Sequence, residues 1–270
     1  MPKWMLAGMY RLGPISRWLR KGLNRNLPSG LQITSIAAGP LRGMKMELNL
    51  QSEKDYWLGS YELELVGALK QATKGKHVAY DVGANIGYIS LMLAQLLGDE
   101  GQVYSFEALP GNQERWKGNI TLNQLDERVH LQAVAVSKTS GKARFMVHAS
   151  GGMGKLSSAK GRDEDYAEEI EVDSLALDDA VYRQKSPAPE LIKIDIEGGE
   201  GAALRGMTRL LKEKRPTLFI ELHGYEAARE VFEQLTNHNY SMRELKAGSR
   251  FVKDVEQLNW KSYVVAEPQS

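Results

Sequence analysis

Short apolar stretches alternate along the chain with longer segments in which apolar residues recur at helical spacing. The pattern predicts strands at 78–82, 102–107, 129–136, 191–195, 217–222, 241–245 and 263–265. It predicts helices at 60–72, 86–97, 200–211 and 225–235, and one more that begins at Pro110. Strands that alternate with helices form a mostly parallel sheet covered on both faces. The chain is therefore predicted to have an α/β fold.

Two segments interrupt this alternation. Residues 1–50 are predicted to form an extension of two short helices and a hairpin around Gly39-Pro40, in front of a domain at 51–270. Residues 141–173 are predicted to form a β-hairpin-like insertion with a flexible tip near 150–154. Long irregular segments are often lids or binding loops, so this insertion is either a lid or a solvated loop without function.

Composition narrows the classes of function. The 270 residues are 42% hydrophobic, enough for a large buried core, and the net charge of +1 gives no field that would attract nucleic acid. The absence of cysteine excludes disulfides, thiolate metal sites and thiol catalysis, and is compatible with the cytoplasm, where we expect the protein. No acid precedes Glu47, and basic and apolar side chains interleave near the N-terminus. That segment is expected to pack on the domain or on a second copy in a homo-oligomer, with contact to a membrane surface as the alternative.

The turn after the first core strand is the main candidate for a ligand site. It has the sequence Asp81-Val82-Gly83-Ala84-Asn85-Ile86-Gly87. Glycines let a ligand approach the backbone closely, and the helix that follows offers unpaired N–H groups to an anionic group. The spacing D-x-G-x-x-x-G differs from the G-x-G-x-x-G of dinucleotide binders and favours S-adenosylmethionine, whose ammonium and carboxylate need an acid and backbone donors side by side. Glu107 ends the next strand, where an acid binds the ribose hydroxyls of a nucleotide.

Further acids follow the later core strands, at the edge where such sheets bind ligands. Asp195 and Glu197 alternate along one strand and its exit, so both can flank a reacting centre. His223 follows the next strand, and an imidazole that titrates near neutrality can remove a proton from a hydroxyl. Structural roles at the strand ends remain the alternative. Asp195, Glu221 and His223 leave room for a hard divalent cation, although nothing in their spacing requires one.

Taken together, these motifs resemble the FkbM-type family of S-adenosylmethionine-dependent methyltransferases, over roughly residues 56–225. The resemblance rests on Asp81 to Gly87, Phe106-Glu107-Ala108-Leu109-Pro110, Lys193 to Gly198 with Glu200, Glu221-Leu222-His223, and Gly59-Ser60-Tyr61-Glu62. It implies the Rossmann-like class I methyltransferase fold, with a seven-stranded, mostly parallel sheet and helices on both faces. It also implies methyl transfer to a hydroxyl of a sugar or secondary metabolite. By this resemblance the cofactor-binding residues are Asp81, Gly83, Ala84, Asn85, Gly87, Glu107, Ala108 and Glu62.

The sequence thus predicts an O-methyltransferase that uses S-adenosylmethionine and acts on a small-molecule or glycan hydroxyl. Its expected catalytic residues are Asp195, Glu197 and His223. Two alternatives stay open: a nicotinamide-dependent oxidoreductase, which should carry a tighter glycine fingerprint, and a non-catalytic nucleoside-binding module, which would need Glu107 but neither Asp195 nor His223. No acid follows the third strand, at 132–137, so the sequence assigns no residue to the adenine.

Overall fold

The computed structural model describes residues 28–149, 152–159, 166–246, 248, 250–259 and 263–269. The two helical stretches and the basic, membrane- or partner-contacting segment predicted near the N-terminus fall in 1–27, outside the described residues. The hairpin predicted after them is confirmed, because Leu31–Ser35 pairs antiparallel with Lys45–Asn49. Among the helices that the structure describes, none is long and apolar enough to cross a membrane.

Strands and helices succeed one another largely as the apolar pattern predicts. The strands are β1 (Leu31–Ser35), β2 (Lys45–Asn49), β3 (Val78–Val82), β4 (Gln102–Phe106), β5 (Val129–Gln132), β6 (Ala135–Val136), β7 (Gly141–His148), β8 (Gly154–Leu156), β9 (Tyr166–Leu175), β10 (Leu191–Ile194), β11 (Thr217–Glu221), β12 (Tyr240–Glu244) and β13 (Tyr263–Pro268). The α-helices are α1 (Lys54–Leu58), α2 (Leu63–Ala72), α3 (Tyr88–Leu97), α4 (Pro110–Thr121), α5 (Leu177–Tyr182), α6 (Glu200–Arg205), α7 (Thr208–Glu213) and α8 (Tyr225–Asn237).

The central sheet has seven strands in the order β12-β13-β11-β10-β3-β4-β5, and the predicted fold class is confirmed. Neighbours from β11 to β5 run parallel, whereas β13 is antiparallel to both β11 and β12. The four residues of β10 are all buried, as expected for a parallel strand covered by helices on both faces. Its register places Lys193 directly beside Asp81 of β3, which brings a cation and an acid together inside the sheet.

A second, four-stranded sheet has the order β6-β9-β7-β8 and lies beside the carboxyl ends of the first. The insertion predicted at 141–173 forms most of it, with β7 and β9 as antiparallel partners. The single strand predicted at 129–136 is wrong, because β5 stays in the central sheet while β6 pairs with β9. A small apolar core packs the second sheet against the loop between β4 and α4, and its buried residues are Ala108, Leu109, Ala135, Phe145, Leu156 and Val172.

Two predicted helix boundaries are also corrected. The helix expected at 200–211 is divided into α6 and α7, and the Asp178 carboxylate accepts from the N–H groups of Arg209 and Leu210 at the start of α7. The helix expected from Ser60 begins at Leu63 instead. The Ser60 hydroxyl donates to Asp55 and so does not cap that helix.

Candidate active site

A cavity of about 370 Å³ opens at the carboxyl ends of the central strands. Loops after β3, β4, β10 and β11 line one side, and the second sheet and the segment before α2 line the others. Of the eight residues expected to bind cofactor, six line this cavity: Glu62, Gly83, Ala84, Asn85, Glu107 and Ala108. The expected catalytic residues Asp195, Glu197 and His223 line the same cavity. One space therefore holds both sets of predicted residues, apart from Asp81 and Gly87.

The turn after β3 lies against the backbone that leaves β10. Gly83 has φ 78°, and a Cβ there would lie 1.8 Å from the carbonyl oxygen of Asp195. No side chain fits this place, so glycine is required by both conformation and space. The N–H groups of Gly83 and Ala84 both donate to the carbonyl oxygen of Phe106, at 3.0 Å. The turn is thus fixed between the ends of β4 and β10.

Glu107 connects two of the cavity-lining turns. Its Oε2 accepts from the N–H of Asn85 and its Oε1 from the N–H of Leu109, both at 2.8 Å. Burial raises the pKa of Glu107, and these two hydrogen bonds act against that shift. The Asn112 amide also donates to Oε1, at 3.5 Å, whereas Oε2 accepts one hydrogen bond within the described residues and has a second lone pair for a ligand hydroxyl in the cavity.

Asp81 and Gly87 support the turn from beneath, contrary to the expectation that they face the methionine end of the cofactor. Asp81 is fully buried, and its Oδ2 accepts from the hydroxyl of Ser90 at 2.6 Å. Burial raises the pKa of Asp81, while the charge of Lys193 lowers it. A Cβ on Gly87 would lie 3.0 Å from the Trp116 ring, so that glycine makes room for the indole. Lys193 and Ser90 contact the Asp81 carboxylate, which does not line the cavity, and a motif does not reveal these contacts.

Lys193 is a site residue that the sequence analysis did not select. Its Nζ donates to the carbonyl oxygen of Gly83 at 2.9 Å and lies 3.4 Å from Asp81 Oδ1 and 3.5 Å from Asp195 Oδ2. Burial alone would lower the pKa of Lys193, but the charges of Asp195 and Asp81 outweigh it and raise that pKa. Burial alone would likewise raise the pKa of Asp195, yet Lys193 keeps it below its usual range. Its position inside an otherwise apolar strand was the feature of the sequence that could have identified Lys193, because a buried lysine needs charged partners.

Asp195, Glu197, Glu221 and His223 form what we call the acid–histidine cluster. His223 Nε2 lies 3.7 Å from Asp195 Oδ1, 3.6 Å from Glu197 Oε2 and 3.7 Å from Glu221 Oε1. On the other side of the ring, Nδ1 is 2.9 Å from Glu200 Oε1. Glu200, which a sequence pattern explains as an acid in the first turn of a helix, is fully buried and fixes the imidazole.

The protonation of this cluster differs from the sequence-based expectation. Burial alone would lower the pKa of His223, but the hydrogen bond and charge of Glu200, with the charges of Asp195 and Glu197, raise it to about 9. A pKa of about 9 favours the protonated imidazole at neutral pH in the site without ligands, whereas the sequence predicts titration near neutrality. Burial and the charge of Asp195 raise the pKa of Glu221 to about 8. Glu221 is thus a second proton-accepting candidate.

Glu62 brings a buried carboxylate to the same cavity. It adopts a left-handed φ of 45° directly before α2, and burial followed by the charge of Asp195 raises its pKa. Its Oε2 is buried and has no hydrogen-bond partner within the described ranges. A cationic group of a bound ligand would satisfy this oxygen. The ammonium of S-adenosylmethionine is such a group, so the residues present fit that cofactor.

An apolar wall completes the cavity opposite these acids. Residues 134–136 enter it from the segment after β5, and Phe145 and Leu156 enter it from the second sheet. The amide of Asn112 donates to the carbonyl oxygen of Gly152, which fixes part of the insertion beside Glu107. A flat, apolar heterocycle fits such a wall. The sequence pattern missed it because the second sheet forms only through pairings distant in the chain.

The comparisons with known proteins agree with this geometry. A family model described as the methyltransferase FkbM domain matches residues 81–242. Hexuronic acid methyltransferase AglP of Haloferax volcanii is 23% identical over 214 residues, which cover 77% of this chain and 83% of that protein.

Two solved structures are also similar. Methyltransferase FkbM from Methylobacillus flagellatus KT is 19% identical with a TM-score of 0.46; the match covers 71% of this chain but only 43% of that one. An O-methyltransferase from Bacillus cereus in complex with SAH is 14% identical with a TM-score of 0.48, covering 76% of this chain and 80% of that chain. The family model spans more than half of the chain and describes a methyltransferase. The match therefore does not support the two alternatives that the sequence left open, an oxidoreductase and a non-catalytic binding module. The chain belongs to the FkbM methyltransferase family and is an S-adenosylmethionine-dependent enzyme.

Proposed function

We propose that this enzyme transfers the methyl group of S-adenosylmethionine to a hydroxyl oxygen of a sugar, free or within a glycan. The observation that carries the proposal is one cavity that joins Glu107 and the Gly83 turn to the acid–histidine cluster. If the nucleoside of S-adenosylmethionine binds beside Glu107, the methyl group on its sulfur would lie near the carboxylates of the cluster. The similarity to a hexuronic acid methyltransferase supports a sugar as the acceptor.

Cofactor binding is assigned to residues on three sides of the cavity. Glu107 would accept from the ribose hydroxyls, because its Oε2 retains acceptor capacity and a hydroxyl can replace the long hydrogen bond of Asn112 to Oε1. The turn at 83–85 would contact the methionine portion through its backbone, and Glu62 would accept from the ammonium. Ala108 would contact the nucleoside beside Glu107. The apolar wall at 134–136 would cover the adenine.

The acid–histidine cluster would hold and deprotonate the acceptor. When bound, S-adenosylmethionine supplies an electrophilic methyl group, and the electron pair of its bond to sulfur remains on sulfur. Asp195, Glu197 and His223 would orient the acceptor oxygen, and alignment of this kind supplies much of the rate in a displacement. The hydroxyl proton would pass to a carboxylate of the cluster. Glu221 is suited to this step because its pKa of about 8 lies close to neutral pH.

Glu107→Gln tests the cofactor assignment. We expect roughly 5- to 150-fold weaker binding of S-adenosylhomocysteine by calorimetry, since charge-assisted hydrogen bonds contribute about 1–3 kcal/mol. Glu114→Gln is the matched control, because Glu114 is an exposed acid on the neighbouring helix α4. Equal affinity of Glu107→Gln and the parent would remove Glu107 from the ribose site.

A screen of sugars tests the acceptor. The parent enzyme is incubated with S-adenosylmethionine and a panel of neutral sugars, hexuronic acids and short glycans, and products are detected by the mass gain of one methylene. Methylation of a sugar hydroxyl supports the proposal. Cofactor binding without methylation of any of these compounds would contradict it.

The cytoplasmic location, the division at residue 50, the homo-oligomer and the lack of nucleic acid partners stay predictions.

A further inference from the structure

We propose that the acid–histidine cluster is a divalent-cation site, with Asp195 Oδ1, Glu197 Oε2 and His223 Nε2 as its protein ligands. One ligand atom from each of these residues lies within 4.8 Å of the other two. Carboxylate oxygens together with an imidazole nitrogen are typical ligands of Mn²⁺ and related divalent ions. The acceptor oxygen would take a further position on the ion. That role rests on the proposed function, whereas binding of the ion does not.

The distances inside the cluster suit ligands around a common ion. His223 Nε2 is 3.7 Å from Asp195 Oδ1 and 3.6 Å from Glu197 Oε2, both too long for a hydrogen bond. Two ligands on one ion, with bonds of about 2.1–2.5 Å and angles of about 90–110°, lie roughly 3.0–4.1 Å apart. The carboxylates of Asp195 and Glu197 lie within 4.8 Å of each other, so all three side chains can reach one ion.

His223 is already held in the orientation of a metal ligand. Its side chain is 2% exposed, and Nδ1 is paired with Glu200 Oε1 at 2.9 Å. Glu200 is itself fixed, because the same oxygen accepts from the N–H of Gly198 at 3.0 Å. Nε2 makes no hydrogen bond to any residue that the structure describes. Metal-binding histidines commonly have this arrangement, with the second ring nitrogen on a carboxylate.

Asp195 divides its two oxygens between different partners. Oδ2 accepts from the hydroxyl of Tyr263 at 3.3 Å and lies 3.5 Å from Lys193 Nζ. Oδ1 instead lies toward His223. Lys193 thus compensates Asp195 from the side of the sheet, and the oxygen on the cluster side remains available to an ion.

Charge in this part of the cavity also favours a cation. Glu62 and Glu221 line it together with Asp195 and Glu197, so carboxyl groups outnumber the ammonium of Lys193 and the imidazole of His223. A hexuronic acid acceptor would bring a further carboxylate beside those of Asp195 and Glu197, which would repel it. A divalent ion would offset the repulsion and would lower the pKa of a hydroxyl bound to it.

The test uses the full chain after treatment with chelator, titrated with Mn²⁺ in the absence of cofactor and acceptor. We expect one Mn²⁺ per chain, with affinity at least tenfold lower in Glu197→Gln. Asp173→Asn is the control, because Asp173 is an exposed carboxylate on β9. In the parent, pulsed electron paramagnetic resonance should show coupling of bound Mn²⁺ to an imidazole nitrogen. That signal should disappear in His223→Ala.

Each outcome has a defined meaning. Binding without the nitrogen coupling, or binding equally tight in Glu197→Gln, would overturn the assigned ligands, and absence of binding would overturn the site. S-adenosylhomocysteine affinity, measured in parallel, shows that each variant is folded. One bound Mn²⁺ with no methylated sugar would contradict the proposed function and leave the cation site in place. Methylation of a sugar that persists without any Mn²⁺ binding would support the proposed function and contradict the cation site.

Discussion

Replacement of Lys193 by methionine should destabilise the enzyme strongly. The Lys193 side chain is 3% exposed, and its ammonium lies between two acids, 3.4 Å from Asp81 Oδ1 and 3.5 Å from Asp195 Oδ2. Asp81 Oδ1 is buried and, in the part of the chain that is described, has no hydrogen-bond partner. Methionine fills a similar volume but leaves that carboxylate uncompensated. Breaking a buried pair in this way costs about 3–5 kcal/mol.

Urea denaturation followed by circular dichroism measures the effect. With a denaturant slope of about 3 kcal/mol per molar, the midpoint should fall by roughly 1–2 M. Lys142→Met is the matched control, because Lys142 pairs with Asp173 on the surface, with side chains 61% and 60% exposed. Its midpoint should not change, since exposed ion pairs contribute little.

A second variant separates lost charge compensation from lost packing. Adding Asp81→Asn to Lys193→Met removes the uncompensated carboxylate, so the double variant should be more stable than Lys193→Met alone. If Lys193→Met unfolds within about 1 kcal/mol of the parent, the ammonium does not compensate a buried charge. If the double variant is no more stable than Lys193→Met, the loss is one of packing.

Two further predictions concern the turn after β3 and the imidazole. Gly83→Ala should lower the thermal midpoint strongly and weaken S-adenosylhomocysteine binding, because its Cβ would lie 1.8 Å from the carbonyl oxygen of Asp195. The control is Gly67→Ala on α2, where a Cβ meets nothing within 4 Å. That variant should stabilise the protein by about 0.5–1 kcal/mol. In metal-free protein, the raised pKa of His223 contributes stability that is complete below about pH 6.5 and is lost as pH rises through about 9. Denaturation across this range should show a loss of up to about 3 kcal/mol that is smaller in His223→Ala.

The sequence predicted the central sheet because buried parallel strands leave continuous apolar runs, as the fully buried β10 does. It could not place β6, since Ala135 and Val136 continue the apolar run of β5 and only pairing with β9 removes them from the sheet. It could not find the break between α6 and α7 either. The second helix begins with hydrogen bonds from the N–H groups of Arg209 and Leu210 to the distant Asp178, which periodicity does not show.

The sequence predicted where the candidate site lies, but not the surroundings of each side chain in it. Acids at strand ends indicated the cavity edge, and Glu107 and Asp195 do line it. The buried place of Asp81 depends on the register of β3 against β10, and the pKa of His223 depends on Glu200. Both follow from tertiary contacts between residues whose local sequence allows several roles.

The segment from Lys193 to Glu200 explains why the two halves of the cavity occur together. At one end, Lys193 holds the Gly83 carbonyl, and the Asp195 carbonyl occupies the space where Gly83 would carry a side chain. At the other end, Glu200 holds His223. One stretch of backbone therefore positions the turn after β3 and the cluster relative to each other. Under the proposed function, this stretch aligns the methyl donor with the hydroxyl acceptor, on which a displacement depends.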